Sequence, residues 1–90
     1  MFLGRVVGDV VSTVKHADLR GRKLLVVDRL GADLTSLNES VLAIDTVDSG
    51  VGDVVLVLDE GSSAGLVTGL DDPPIRTVIV GVVDAVDLEG

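Results

Sequence analysis

Two short stretches of this 90-residue chain carry the residue types of hydrolytic chemistry. Asp48-Ser49-Gly50 has the D-[ST]-G order of aspartic proteases, whose small dimeric versions bring two carboxylates together to share one proton. Gly61-Ser62-Ser63-Ala64-Gly65 matches the G-x-S-x-G of a nucleophile elbow. That elbow needs a strand-to-helix turn in an α/β sheet and a histidine in reach. The chain has one histidine, His16, and is too short for such a fold. A Gly/Ser turn is the simpler reading of 61–65. For Asp48, a three-residue match in a chain with 12 Asp and 11 Gly is weak, and a polar turn between strands explains it. A dimeric aspartic protease using Asp48 is kept only as an alternative.

Metal chemistry fares no better. Asp45, Asp48 and Asp53, or the pair Asp71-Asp72, are hard-cation candidates by type. The EF-hand spacing fails because Val47 stands at the second ligand position. With no cysteine there is no thiolate site, disulfide framework or cysteine nucleophile, which fits a reducing cytosol. Gly50-Val51-Gly52 lacks the third glycine and the helix of a dinucleotide fingerprint. No catalytic residue, cofactor or metal is expected, and the chain reads as a non-enzyme.

Charge excludes further classes. Seven basic residues against 15 acidic ones leave a net charge of −8, which repels phosphate backbones. A single Phe gives no stacking platform for single strands. The longest apolar run, Val78 to Val83, is far short of the ~18 residues of a spanning helix. Met1 to Arg5 is too short an apolar start for a secretory signal. The expectation is a chain with neither nucleic acid nor membrane as partner. Lys15, His16, Arg20, Arg22 and Lys23 gather most of the basic charge on one connection, either to steer an acidic protein partner or simply as a solvated loop.

These residues must be held by strands. Nineteen Val and 13 Leu, with almost no aromatics, favour pleated surfaces over helices. The pattern predicts one domain over 1–90, folded over 1–88. Five strands are expected: Phe2 to Lys15, Lys23 to Leu30, Val41 to Asp45, Val54 to Leu58 and Arg76 to Leu88. Even positions of the first strand are apolar or small and face inward, with Gly4 and Gly8 there to bend the strand or mark bulges. Gly31 to Ser40 reads as a loop, and one short helical turn is expected after Ser62 or Ser63. Five short strands with Gly-rich turns argue for a small antiparallel barrel or sandwich. The second, fourth and fifth strands are apolar on both faces, and a barrel interior takes only one of them. The other face predicts burial against further copies of the chain.

The collected residues resemble the EutN/CcmL family, the pentameric vertex proteins of bacterial microcompartment shells. The resemblance lies in Met1-Phe2-Leu3-Gly4-Arg5-Val6-Val7-Gly8 with Val11-Ser12-Thr13-Val14-Lys15, and in Leu19-Arg20-Gly21-Arg22-Lys23-Leu24-Leu25-Val26-Val27. Ala43 to Val57 is similar to the family's A-x-D-x-V-G-A-G-x-G-[DE]-x-V-L-V signature. Gly61-Ser62-Ser63-Ala64 matches its G-S-S-A run, and Pro74-Ile75 with Val78 to Asp84 its closing strand. Four positions depart: Asp48-Ser49 replaces Gly-Ala, Gly65 stands for Arg, and Arg76 for Asp. Gly65 and Arg76 together suggest a pairing kept in swapped form.

The resemblance implies a five-stranded OB-like barrel with one short helix, assembled as a ring-shaped homopentamer. It implies a structural role, capping the five-fold vertices of an icosahedral, carboxysome-like shell in the bacterial cytoplasm, against hexameric and trimeric shell proteins. An oligomeric barrel adaptor without a shell is the alternative. The turn and assembly candidates are Asp45, Gly50, Gly52, Asp53, Gly61, Ser62, Ser63 and Arg76. Gly50 and Gly52 are expected to need positive φ or close approach, and Asp45 and Asp53 to bond the turn backbone.

Overall fold

A computed structural model describes residues 1–11, 21–59 and 75–88. The expected short helix, the 61–65 stretch and the basic residues Lys15, His16 and Arg20 lie outside the described residues. Five strands form: β1 Phe2–Asp9, β2 Lys23–Leu30, β3 Ser36–Asp45, β4 Val54–Asp59 and β5 Thr77–Val82. They close into a barrel in the order β1-β2-β3-β5-β4, with β1 also pairing β4. This is the five-stranded, Greek-key type of closure found in OB-like barrels.

Every ladder is antiparallel except one: β3 and β5 run parallel, through only Ile44↔Val78 and Asp45↔Ile79. The expectation of a wholly antiparallel barrel is corrected at that seam. Because the ladder is short, side chains reinforce it. The Thr46 hydroxyl donates to the Ile79 carbonyl at 2.7 Å, and the Thr77 hydroxyl donates to the Leu42 carbonyl.

The barrel interior is filled by Phe2, Val6, Leu25, Val27, Ala43, Val55, Val57 and Ile79. The side chains are mostly β-branched and fit a narrow bore. Gly4 faces the same interior, and a methyl group there would collide with Cγ1 of Val27. A close approach of two strands explains this glycine. Arg29 caps the bore, its guanidinium 4.6 Å from the centroid of the Phe2 ring. That is within cation–π range.

Inward parity along β1 holds for Phe2, Gly4 and Val6 and then breaks. Val6 pairs with Val27 but Gly8 pairs with Val26, so Val7 is an extra residue, a β-bulge. The bulge turns Gly8 outward, correcting its expected inward position. It also turns Val10 onto the outer surface, where it packs on a second buried cluster of Leu24, Ile44 and Val78, joined by Ile75 and Val80. Part of the two-faced pattern is thereby satisfied inside one chain. Leu24 and Val78 therefore give no ground for association, because the chain covers them itself.

Strand ends also differ from the sequence reading. β1 stops at Asp9 and β5 at Val82, although the Val83 amide still donates to the Val54 carbonyl at 2.8 Å. The loop expected over Gly31 to Ser40 ends at Thr35, and β3 begins at Ser36. The amide of Gly31 donates to Thr35 and that of Leu34 to Gly31, each at 2.9 Å, which makes a tight hairpin. Asp33 accepts bonds from the Thr35 hydroxyl (2.7 Å) and amide (3.2 Å), which hold its carboxyl below the usual range. Polar residues hid β3 because it is exposed from Ser36 to Ser40 and irregular at Asn38, whose φ is +57°.

Candidate functional site

The most densely bonded feature among the described residues is the turn from Asp45 to Asp53, where four of the sequence candidates meet. Asp45 ends β3 with its side chain only 1% exposed. Its Oδ2 accepts the Ser49 amide at 2.9 Å. Its Oδ1 accepts the Ser49 hydroxyl at 3.0 Å and the Val47 amide at 3.2 Å. A short acidic side chain closing the backbone just ahead of it is the usual Asx device. Asp53 closes the other end: its Oδ2 accepts the Gly50 amide at 2.9 Å, and its own amide donates to the Gly50 carbonyl at 3.0 Å.

The turn is also fastened to its neighbours. The Gly52 amide donates to the Val6 carbonyl at 2.8 Å and the Val6 amide to the Asp53 carbonyl at 2.9 Å, so β1 continues along the turn. From β2, Lys23 lies opposite Asp45 in register. Its Nζ is 3.4 Å from Asp45 Oδ2 and 3.3 Å from Asp48 Oδ1, and it donates to the Ser49 carbonyl. Burial pulls the Lys23 pKa down. Hydrogen bonds to Asp48 and Asp45, with their charges, outweigh that pull and leave it above the ordinary 10.5. The ammonium therefore persists through neutral pH. Any stability it adds is full below its unfolded pKa and fades only as alkaline pH passes the folded value.

The two glycines behave differently. Gly52 has φ +97°, where a side chain costs about 1–2 kcal/mol. A Cβ there would meet nothing within 4 Å, so the requirement is conformational and not steric. Gly50 shows neither positive φ nor close approach, which corrects the expectation for it. It serves through its amide and carbonyl on Asp53.

Two departures from the family pattern now have physical reasons. Asp48 has φ +56°, a left-handed position that suits glycine and that Asp tolerates better than most residues. Its carboxylate, 97% exposed, pairs with Lys23. Ser49 is 1% exposed, and its hydroxyl adds a bond to Asp45 that an alanine lacks. Both changes feed the same Lys23–Asp45 network. Within the turn Asp48 faces the Lys23 ammonium, and Ser49 is buried against Asp45.

Sequence reasoning missed Lys23 and Ser49 as members of this site. Lys23 was counted with the basic connection, but it is occupied inside the acidic turn. Arg76 is exposed just before β5, and its proposed counterpart Gly65 lies outside the described residues. Among the described residues, no three of His, Cys, Asp and Glu converge as a metal site. No buried side-chain polar atom among them lacks a partner. The bonds of Asp45, Asp53 and Lys23 clamp the turn.

Comparison with known proteins agrees with a scaffold. The family model for ethanolamine utilisation protein EutN/carboxysome matches residues 1–84. The microcompartment shell vertex protein GrpN of Rhodospirillum rubrum is 46% identical over 87 residues, covering 97% of each chain. The shell vertex protein PduN of Salmonella typhimurium is 43% identical over 88 residues, covering 93% of this chain and 96% of its own. The solved structure of GrpN, described as a pentameric microcompartment shell protein, superposes with a TM-score of 0.85 over 100% of both chains. A family model that spans residues 1–84 and relatives 46% and 43% identical over nearly the whole chain lead to one conclusion: the chain belongs to the EutN/CcmL family.

Proposed function

We propose that this protein is a shell vertex protein: a homopentamer of OB-like barrels that caps the five-fold points of a bacterial microcompartment in the cytoplasm. It meets hexameric and trimeric shell proteins there and carries no catalysis of its own. The observation that carries the reading is the full-length likeness to a pentameric shell protein, with 100% of both chains aligned. The chemistry is consistent with it. Asp45, Gly50, Gly52 and Asp53 hold a turn together, and a structural tile needs such bracing more than a reactive group.

Charge sets a condition on assembly. Five copies of a chain with net charge −8 repel one another, so contacts must outweigh that repulsion and ring stability should rise with ionic strength. Native mass spectrometry of the purified chain tests the reading. The expected mass is five times 9.3 kDa. A dimer would contradict the ring and call for a peptidase assay on Asp48, and a monomer would contradict self-assembly.

A further inference from the structure

We infer that the β3–β5 seam is the line along which the barrel opens, and that the Thr46 and Thr77 hydroxyls are the latches that set how often it does. The inference goes beyond the shell role and does not depend on the ring. Among the described residues the seam is the shortest ladder: two register pairs, Ile44↔Val78 and Asp45↔Ile79, against four to seven in each of the others. It is also the parallel one, and parallel pairing is slightly weaker per residue.

Topology gives the opened form. Cutting the closed order β1-β2-β3-β5-β4 at the seam leaves the sheet β3-β2-β1-β4-β5, in which every remaining ladder is antiparallel. β3 keeps its register with β2 from Leu30↔Ser36 to Lys23↔Asp45, and β5 keeps β4. The clamped turn stays in place too, because Lys23 lies on β2 and the turn's backbone bonds go to Val6 of β1. A cut at any other ladder breaks at least four pairs. What opposes opening is apolar: Ile44, Val78 and Ile79 are fully buried, and parting the strands wets all three. Opening is therefore a rare excursion, of the sub-global kind that hydrogen exchange detects below the cost of complete unfolding.

Two side chains cross the seam, one at each end of its two pairs. Thr46, next after Asp45, donates from its hydroxyl to the Ile79 carbonyl at 2.7 Å. Thr77, just before Val78, donates from its hydroxyl to the Leu42 carbonyl. One latch runs from β3 to β5 and the other runs back. Neither belongs to the backbone ladder, so removing a hydroxyl leaves the ladder itself intact. Valine in its place keeps a branched side chain suited to a strand.

The test is hydrogen exchange of the full chain, followed by NMR, for wild type and for the double variant Thr46→Val with Thr77→Val. In wild type, the amides that bridge β3 and β5 are expected to exchange faster than those that bridge β1 and β2. In the double variant the seam amides should speed up by about tenfold or more, since one net hydrogen bond is worth about fivefold in such an equilibrium. The β1–β2 amides should keep their rates. Thr46→Ser with Thr77→Ser, which retains both hydroxyls, should hold the wild-type rate at the seam. Should the double valine variant fail to fold, Thr46→Val alone carries the test, at about fivefold. Equal acceleration in every strand would show that the hydroxyls support the whole barrel, and would overturn a local opening. Unchanged seam amides would overturn the latches, and seam amides as slow as those of β1–β2 in wild type would overturn the opening line.

Discussion

Asp45→Ala is expected to destabilise the barrel by about 2–4 kcal/mol, measured by urea unfolding at fixed protomer concentration. The side chain is 1% exposed and accepts bonds from two donors of the buried residue Ser49. Removing it leaves the Ser49 amide and hydroxyl without partners in a place that excludes water. Each buried orphan donor costs about 1–3 kcal/mol. Lys23 limits the loss, because its half-exposed ammonium retains Asp48, the Ser49 carbonyl and solvent. Asp45→Asn should cost less than Ala but remain clearly destabilised. It restores one acceptor oxygen and turns an N–H₂ toward another donor. A change within 0.5 kcal/mol for Asp45→Ala, the usual range for ordinary surface positions, would contradict this account of the turn.

The second large effect belongs to Gly4. Gly4→Leu is expected to cost about 3 kcal/mol or more, at or above the upper end of ordinary overpacking. A Cβ at that position already collides with Val27 Cγ1 and comes within 3.3 Å of the Asp28 carbonyl oxygen. Val27 is fully buried and stiff at χ1, so it yields little. Gly4→Ala should already be clearly destabilising, because the colliding Cβ is the atom alanine adds, and the longer leucine should cost more. Combining Gly4→Leu with Val27→Ala should be less harmful than the sum of the two, because they share one volume. Strict additivity would mean the two side chains do not compete.

How much of this was legible in the sequence follows from which signals are local. β2 was read with its observed bounds and β4 to within one residue, because apolar runs bracketed by Asp and Gly mark strand ends directly. β1 was legible only as far as Val6. The single extra residue at Val7 changes which face every later residue takes, and no residue type announces a bulge. The first half of β3 was hidden because exposed strands on a hairpin arm carry polar residues that look like a loop. The parallel β3–β5 seam depends on a crossing between distant elements, which no local pattern encodes.

The site shows the same division. Asp45 and Asp53 were legible as turn-closing residues from their positions beside Gly50 and Gly52. Lys23 was not, because its partnership with Asp45 depends on the β2–β3 register. Ser49 was not, because a serine in a Gly/Asp turn ordinarily faces water. Asp48 drew attention for chemistry, and its left-handed backbone and its bond to Lys23 give it a structural part instead.

Hexagonal tiles alone extend as flat or rolled lattices, and a closed shell needs five-fold units to introduce curvature. The most direct test is electron microscopy of a hexameric facet protein from a related shell, co-produced with and without this chain. Closed polyhedral particles that contain the chain, with open sheets or tubes in its absence, are the predicted result. Open lattices in both preparations, from a chain already shown to form rings, would contradict the vertex role and favour a barrel that assembles without a shell.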